Sequence, residues 1–175
     1  MKLKLLVSTA VALLGLAVIG VAAADRIKGT PGNDTLTGTN GFDRIAALAG
    51  NDIVNAMGGP DLVRGGQGND QLAGDEGPDW LFGGAGDDTL AGGEGYDLLR
   101  GGAGNDTVDG GDGRDLIFLG KGVDSAQGGD GNDRIYARAD DAAADTIDCG
   151  AGDRDVAVVR QPAVVTNCEK VKTVS

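Results

Sequence analysis

Between Gly29 and Tyr136 the chain repeats every nine residues, twelve times without a break, and each unit has Gly at its fourth position and Asp at its sixth. A strict short period rules out a conventional core built from elements of unequal length. Units that cannot bury an apolar face alone must stack on one another, so the period predicts a solenoid. The glycines run from Gly32 to Gly131 and the aspartates from Asp34 to Asp133. The eighth position is Leu, Ile or Val in eleven units and Ala126 in the other, so the unit reads G-G-x-G-x-D-x-apolar-x.

Gly at the fourth position marks a turn with positive φ or close backbone approach, which other residues adopt at a cost. The three residues after each Asp leave room only for a short strand, whose middle side chain faces opposite to its neighbours. One turn and one strand make half a coil, so two units make an 18-residue coil. Alternate units differ accordingly. At position five the odd units carry Asn33, Asn51, Asn69, Asp87, Asn105 and Val123, and the even ones Phe42, Pro60, Pro78, Tyr96, Arg114 and Asn132. All the aromatic residues of the chain, and all the arginines of the array, lie in even units.

Units such as Gly65-Gly66-Gln67-Gly68-Asn69-Asp70-Gln71-Leu72-Ala73 and Gly101-Gly102-Ala103-Gly104-Asn105-Asp106-Thr107-Val108-Asp109 resemble the calcium-binding nonapeptides of RTX, or hemolysin-type, proteins. The resemblance implies an all-β, right-handed parallel β-roll of twelve units, with two facing sheets and calcium held in the turns at both edges. It is weaker in the first four units, where Thr30, Thr39, Ala47-Leu48 and Ala56-Met57 replace Gly in the first two positions.

Stacked coils place Asp34, Asp52, Asp70, Asp88, Asp106 and Asp124 in one column and Asp43, Asp61, Asp79, Asp97, Asp115 and Asp133 in another. Adjacent charges at the strand spacing of about 4.8 Å repel by about 0.9 kcal/mol even in bulk water. Calcium, a hard dication taking six to eight oxygens from carboxylates and carbonyls, resolves that conflict; magnesium demands tighter octahedral geometry. Turn propensity alone explains Gly and Asp at corners, but not twelve aspartates without one asparagine at position six. One ion per gap between stacked turns gives at most about ten ions. Keeping the better units, with Asp70, Asp79, Asp88, Asp97, Asp106, Asp115, Asp124 and Asp133 as ligands, leaves about six.

The outward positions seven and nine divide the faces. Odd units place small, mostly polar residues there, such as Thr35/Thr37 and Thr107/Asp109. Even units carry Arg44/Ala46, Leu62/Arg64, Trp80/Phe82, Leu98/Arg100, Leu116/Phe118 and Arg134/Tyr136, an apolar ladder bearing cations. That face is expected either to be covered, by the C-terminal segment or a second roll, or to bind a glycan or anionic polymer on Trp80, Phe82 and Phe118 with Arg64 and Arg100 as anion contacts.

Outside the array, residues 1–24 have a basic start, an apolar run and the end Ala22-Ala23-Ala24, the pattern of a secretory signal peptide cleaved before Asp25. An uncleaved anchor is the alternative; after cleavage no stable membrane insertion is expected. Residues 25–28 form a lead-in, and 137–175 an irregular cap in which two further units carry insertions. Cys149 and Cys168 are the chain's two cysteines, and in an exported protein they read as a disulfide, with free thiols the alternative. This N-terminal leader departs from the C-terminal export signal typical of RTX proteins, so no toxin role is carried over.

The net charge of −12 excludes nucleic acid as a partner, and the absence of His excludes Ser-His-Asp, Cys-His and H-E-x-x-H chemistry. No enzyme activity is expected. The expected function is that of a secreted or cell-surface calcium-binding β-roll with a structural role, folding as extracellular calcium binds; the alternative is a glycan- or polyanion-binding module using the even face.

Overall fold

The computed structural model describes residues 26–137, 144–160 and 163–174. The segment expected to be a leader, 1–24, with Asp25 and parts of the expected cap, at 138–143, 161–162 and Ser175, lies outside the described residues.

Within them the chain forms short strands and no helix. The first eight are β1 (Arg26–Lys28), β2 (Thr35–Thr37), β3 (Arg44–Ala49), β4 (Ile53–Asn55), β5 (Leu62–Gln67), β6 (Gln71–Glu76), β7 (Trp80–Ala85) and β8 (Thr89–Gly95). Then come β9 (Leu98–Ala103), β10 (Thr107–Gly113), β11 (Leu116–Lys121), β12 (Ser125–Gly131), β13 (Arg134–Ala137), β14 (Thr146–Asp148), β15 (Val156–Val159), β16 (Val164–Thr166) and β17 (Lys170–Thr173). Odd-numbered strands make a nine-stranded sheet and even-numbered strands an eight-stranded one, with neighbours parallel throughout. The result is an all-β parallel solenoid of about eight turns, the β-roll architecture expected from the repeat. The nine-stranded sheet carries the even units, and its register pairs each residue with the one 18 positions on, as in Leu62↔Trp80 and Leu81↔Leu99.

Between the sheets lies a narrow core, one position-eight side chain from each array strand, joined at some turns by a second residue such as Ala47, Ala56 or Leu119. The position-eight residues, among them Ile45, Val63, Leu81, Leu99, Ile117 and Ile135, are buried, and Ile27, Ile147 and Ala157 extend the row at both ends. Most strands of the array's middle are longer than the three residues expected, running six or seven, because the paired glycines of the turn stay in register: Gly66↔Gly84 and Gly84↔Gly102 continue the ladder around the corner. Positive φ occurs at the fourth position from Gly50 onward and also at the second, where Leu48, Met57 and Asp75 adopt it without being glycine.

The C-terminal segment differs from a covering flap. β14 to β17 continue the coils, adding Arg134↔Val156 and Val156↔Lys170 to one sheet and Ile147↔Val165 to the other. They close the end of the stack, and among the described residues nothing in this segment covers the even face. Cys149 and Cys168 form a disulfide, tying the chain just after β14 to the turn between β16 and β17.

Candidate functional site

Each array Asp follows a tight turn and precedes a strand whose inward residue is locked in the core, so its carboxylate is fixed at the sheet edge. In the odd column, the backbone N–H of Asp34 donates to Asp52 Oδ1 at 2.8 Å, Asp52 to Asp70 at 2.9 Å, Asp70 to Asp88 at 2.8 Å, Asp88 to Asp106 at 3.0 Å and Asp106 to Asp124 at 2.8 Å. The even column repeats this from Asp43 through Asp61, Asp79, Asp97 and Asp115 to Asp133, at 2.6 to 2.9 Å. One oxygen of each carboxylate therefore belongs to the scaffold.

The other oxygen does not. Oδ2 of Asp52, Asp61, Asp70, Asp79, Asp88, Asp97, Asp106, Asp115 and Asp133 is buried with no hydrogen-bond partner. An unsatisfied buried carboxylate oxygen costs several kcal/mol and needs an explanation such as a cation. The first glycine of the unit clears the space around it. A Cβ on Gly101 would collide with Asp106 Oδ2 and lie 2.8 Å from the Leu119 carbonyl oxygen of the next coil. The same pairing of Oδ2 with a next-coil carbonyl recurs at Gly65, Gly74, Gly83, Gly92, Gly110 and Gly128. Asp52 and Asp61 keep the free oxygen, but there Ala47 and Ala56 replace the glycine.

Burial pushes these carboxyls toward the neutral form. It carries Asp79, Asp106 and Asp115 up to about 7, and Asp61, Asp88 and Asp97 to about 6, against the opposing effect of the N–H bond each accepts. Asp52, Asp70 and Asp133 move the same way for the same cause. Among the described residues no three His, Cys, Asp or Glu side chains gather into a metal cluster. Acidic groups strung along a column can still serve an oxygen-loving ion if backbone carbonyls supply the remaining ligands, as calcium permits.

The first two turns are built differently. Thr30 N–H donates to Asp34 Oδ2 and Thr39 N–H to Asp43 Oδ2, each at 2.6 Å, with the threonine hydroxyls adding bonds at 3.0 Å. Those oxygens are already satisfied by the chain. The sequence singles out the first four units as weaker, and the threonines are the physical cause in two of them.

The sequence reveals two further units with insertions, but does not place their Asp145 and Asp155, or Glu169, in the columns. Asp124 N–H donates to Asp145 Oδ1 at 3.0 Å, Asp133 to Asp155 Oδ1 at 2.7 Å, and Asp155 in turn to Glu169 Oε2 at 2.6 Å. Asp155 Oδ2 is again buried without a partner, and its carboxyl is raised by burial. The Asp-x-apolar spacing of Asp145 to Ile147 and Asp155 to Ala157 marks them as units, while the insertions obscure their register with the columns. A further ladder runs outside the odd turns, where Asn51, Asn69 and Asp87 each donate a backbone N–H to the position-five oxygen of the preceding coil.

Segments 19–54, 28–63, 37–72, 64–99, 97–126 and 120–154 match the model of the RTX calcium-binding nonapeptide repeat, together covering most of the chain. The chain belongs to the RTX calcium-binding nonapeptide repeat family. Comparison with curated proteins returns no match. RTX nonapeptides bind calcium, and the candidate donors here, carboxylate and backbone carbonyl oxygens, suit that ion.

The even-face residues Leu62, Arg64, Trp80, Phe82, Leu98, Arg100, Leu116, Phe118 and Tyr136 all lie on the outside of the nine-stranded sheet of the RTX roll. Trp80 is 54% exposed, Arg64 and Arg100 are exposed, and the others are half-buried by their neighbours. Phe118 and Tyr136 stack at 5.0 Å, and Arg64 lies over the Phe82 ring at 5.6 Å.

Proposed function

We propose that this RTX roll is an exported, non-enzymatic calcium-binding protein of the cell exterior that completes its fold by taking calcium into the two Asp columns. The observation that carries the reading is the repeated buried Oδ2 with no partner, each beside a backbone carbonyl of the next coil. The best-formed places combine that oxygen with Gly at position one, as at Asp70, Asp79, Asp88, Asp97, Asp106, Asp115 and Asp133. Asp124 closes the odd column against Asp145, with Leu119 in place of the glycine. Asp52 and Asp61 rank below these, and Asp34 and Asp43 last, because their threonines occupy the oxygen. About six ions are expected, and at most about ten in the regular array.

The chain's leader fits export, and extracellular calcium is millimolar, the range in which extracellular modules bind. Metal-free, the columns hold buried, mutually repelling carboxylates. With calcium, each of those oxygens gains a ligand bond, so binding and folding are one process. Circular dichroism of the oxidised chain, residues 25–175, tests this: weak β signal in chelator and strong signal in millimolar calcium are expected. Equal β content in both conditions would remove the coupling, and calorimetry showing no calcium uptake would remove the function.

A further inference from the structure

Charge is sorted between the two sheets. No strand of the nine-stranded sheet contains Asp or Glu, and every strand-borne Lys or Arg lies in that sheet; the eight-stranded sheet carries acids and no cation. In a chain of net charge −12 this leaves one basic face. Among the described residues Arg64, Arg100 and Arg134 make no ion pair with a carboxylate. The face also holds an open trough of about 1360 Å³, floored by Phe82, Leu98, Arg100, Leu116 and Phe118 and edged by Trp80.

The register gives this face a period. Along one column of outward side chains Arg64, Phe82, Arg100 and Phe118 follow on successive strands, cation and ring in alternation. Neighbouring strands are about 4.8 Å apart, so the two guanidinium-bearing positions are about 10 Å apart with an aromatic platform between. Sugar rings stack on aromatic faces, and guanidinium groups bind carboxylates in a planar fork. A pyranose in an extended chain is close to one strand spacing long. The matching ligand is therefore a polymer with an acid on every second sugar.

We propose that this trough, continued one strand beyond Phe82 by Arg64, binds an acidic polysaccharide along the roll axis, with sugar rings against Phe82 and Phe118 and uronate carboxylates on Arg64 and Arg100. The site rests on the calcium-loaded fold proposed above, which fixes the strand spacing. A second copy of the chain suits it less well. The acids it could offer, Glu76, Glu94, Asp112 and Asp130, stand on every successive strand of the opposite sheet, out of step with arginines on every second one.

Trp80 is the protein's one tryptophan and sits at the trough, so its fluorescence reports occupancy. The calcium-loaded chain is titrated with a hyaluronan decasaccharide, whose uronate alternates with a neutral sugar, and with neutral dextran. Hyaluronan should shift or quench Trp80 emission, weaken as salt is raised, and bind at least about tenfold less tightly to the Arg64→Gln/Arg100→Gln double variant. Dextran should leave emission unchanged, and Gln71→Ala on the opposite sheet should bind like the parent. No response to hyaluronan, equal binding of dextran, or undiminished binding by the arginine variant overturns the proposal, as does sedimentation showing pairs of rolls that shield Trp80 without glycan. Circular dichroism separates the two readings: a chain that stays unordered in calcium overturns both, whereas an ordered chain blind to hyaluronan overturns the trough alone.

Discussion

Replacing Asp106 by Asn should act in opposite directions with and without calcium. The side chain sits mid-column between Asp88 and Asp124, with Oδ1 accepting the Asp88 N–H at 3.0 Å and Oδ2 buried without a partner. Asparagine keeps the Oδ1 acceptor. Its amide replaces Oδ2 beside the Leu119 carbonyl, which can accept a hydrogen bond from it. In chelator at pH 8, above the Asp106 value of about 7, the substitution removes a buried charge and two like-charge neighbours. At about 4.8 Å each repulsion is about 0.9 kcal/mol in water and about 3.5 kcal/mol at an effective dielectric near 20, so relief of about 2 kcal/mol is a floor.

In calcium the sign reverses. The gaps on either side of Asp106 lose an anionic oxygen and face an amide donor, a loss of about 3 kcal/mol or more where a buried charge is left without its partner. Calcium titrations followed by circular dichroism and by calorimetry read both effects. Asp106→Asn should show more β structure than the parent in chelator at pH 8, a higher calcium midpoint, and one or two fewer ions bound. A variant less ordered in chelator would refute the repulsion argument, and an unchanged midpoint and stoichiometry would refute the role of Oδ2.

The same carboxylates set a pH dependence. Folded values of about 6 to 7 for Asp61, Asp79, Asp88, Asp97, Asp106 and Asp115 exceed the unfolded value near 4, so the metal-free fold binds more protons than the unfolded chain. This contribution is fully present below about pH 4 and is lost progressively as pH rises to about 7; the chelated protein should gain β signal as pH falls from about 7 toward about 4, and its calcium midpoint should rise as pH falls through the same window. Gly102 has φ +132° and a Cβ there would run into the Gly84 carbonyl, whereas a Cβ on Gly32 meets only Thr30 Oγ1 at 3.8 Å. Gly102→Ala should cost at least about 2 kcal/mol in calcium and Gly32→Ala almost nothing, a contrast that urea unfolding would measure. Reducing Cys149–Cys168, which span 19 positions, should cost about 3 kcal/mol and raise the calcium midpoint, and alkylated protein with an unchanged midpoint would refute a stabilising role for the bridge.

The period made the coil legible because stacking is a matter of register. An identical residue every 18 positions must lie in a column, and Asp70, Asp88 and Asp106 do. What the period could not reveal was the division of labour within one carboxylate. Composition alone does not distinguish Oδ1, held by the neighbouring N–H, from Oδ2, which is free to bind an ion. The three-residue strand failed for a related reason: read singly, Gly-Gly looks like a break, but stacked on Gly-Gly its backbone pairs as well as any strand. The units of Asp145 and Asp155 were legible but their place in the columns was not, because insertions moved them out of phase while the fold restored their register.

The two sheets answer different demands. Core width is nearly the same under both, a position-eight side chain buried on each array strand, and the Asp bonds run along both edges. Folding therefore places no demand on the outward residues of either sheet, since a solvated polar face, as on β8 or β10, suffices. The rings on β7 and β11 and the unpaired Arg100 on β9 add exposed apolar area without adding to the core. An exposed patch of this kind is a liability unless something occupies it. The calcium columns account for the nine-residue repeat, and an occupant of the basic trough accounts for what the 18-residue repeat adds.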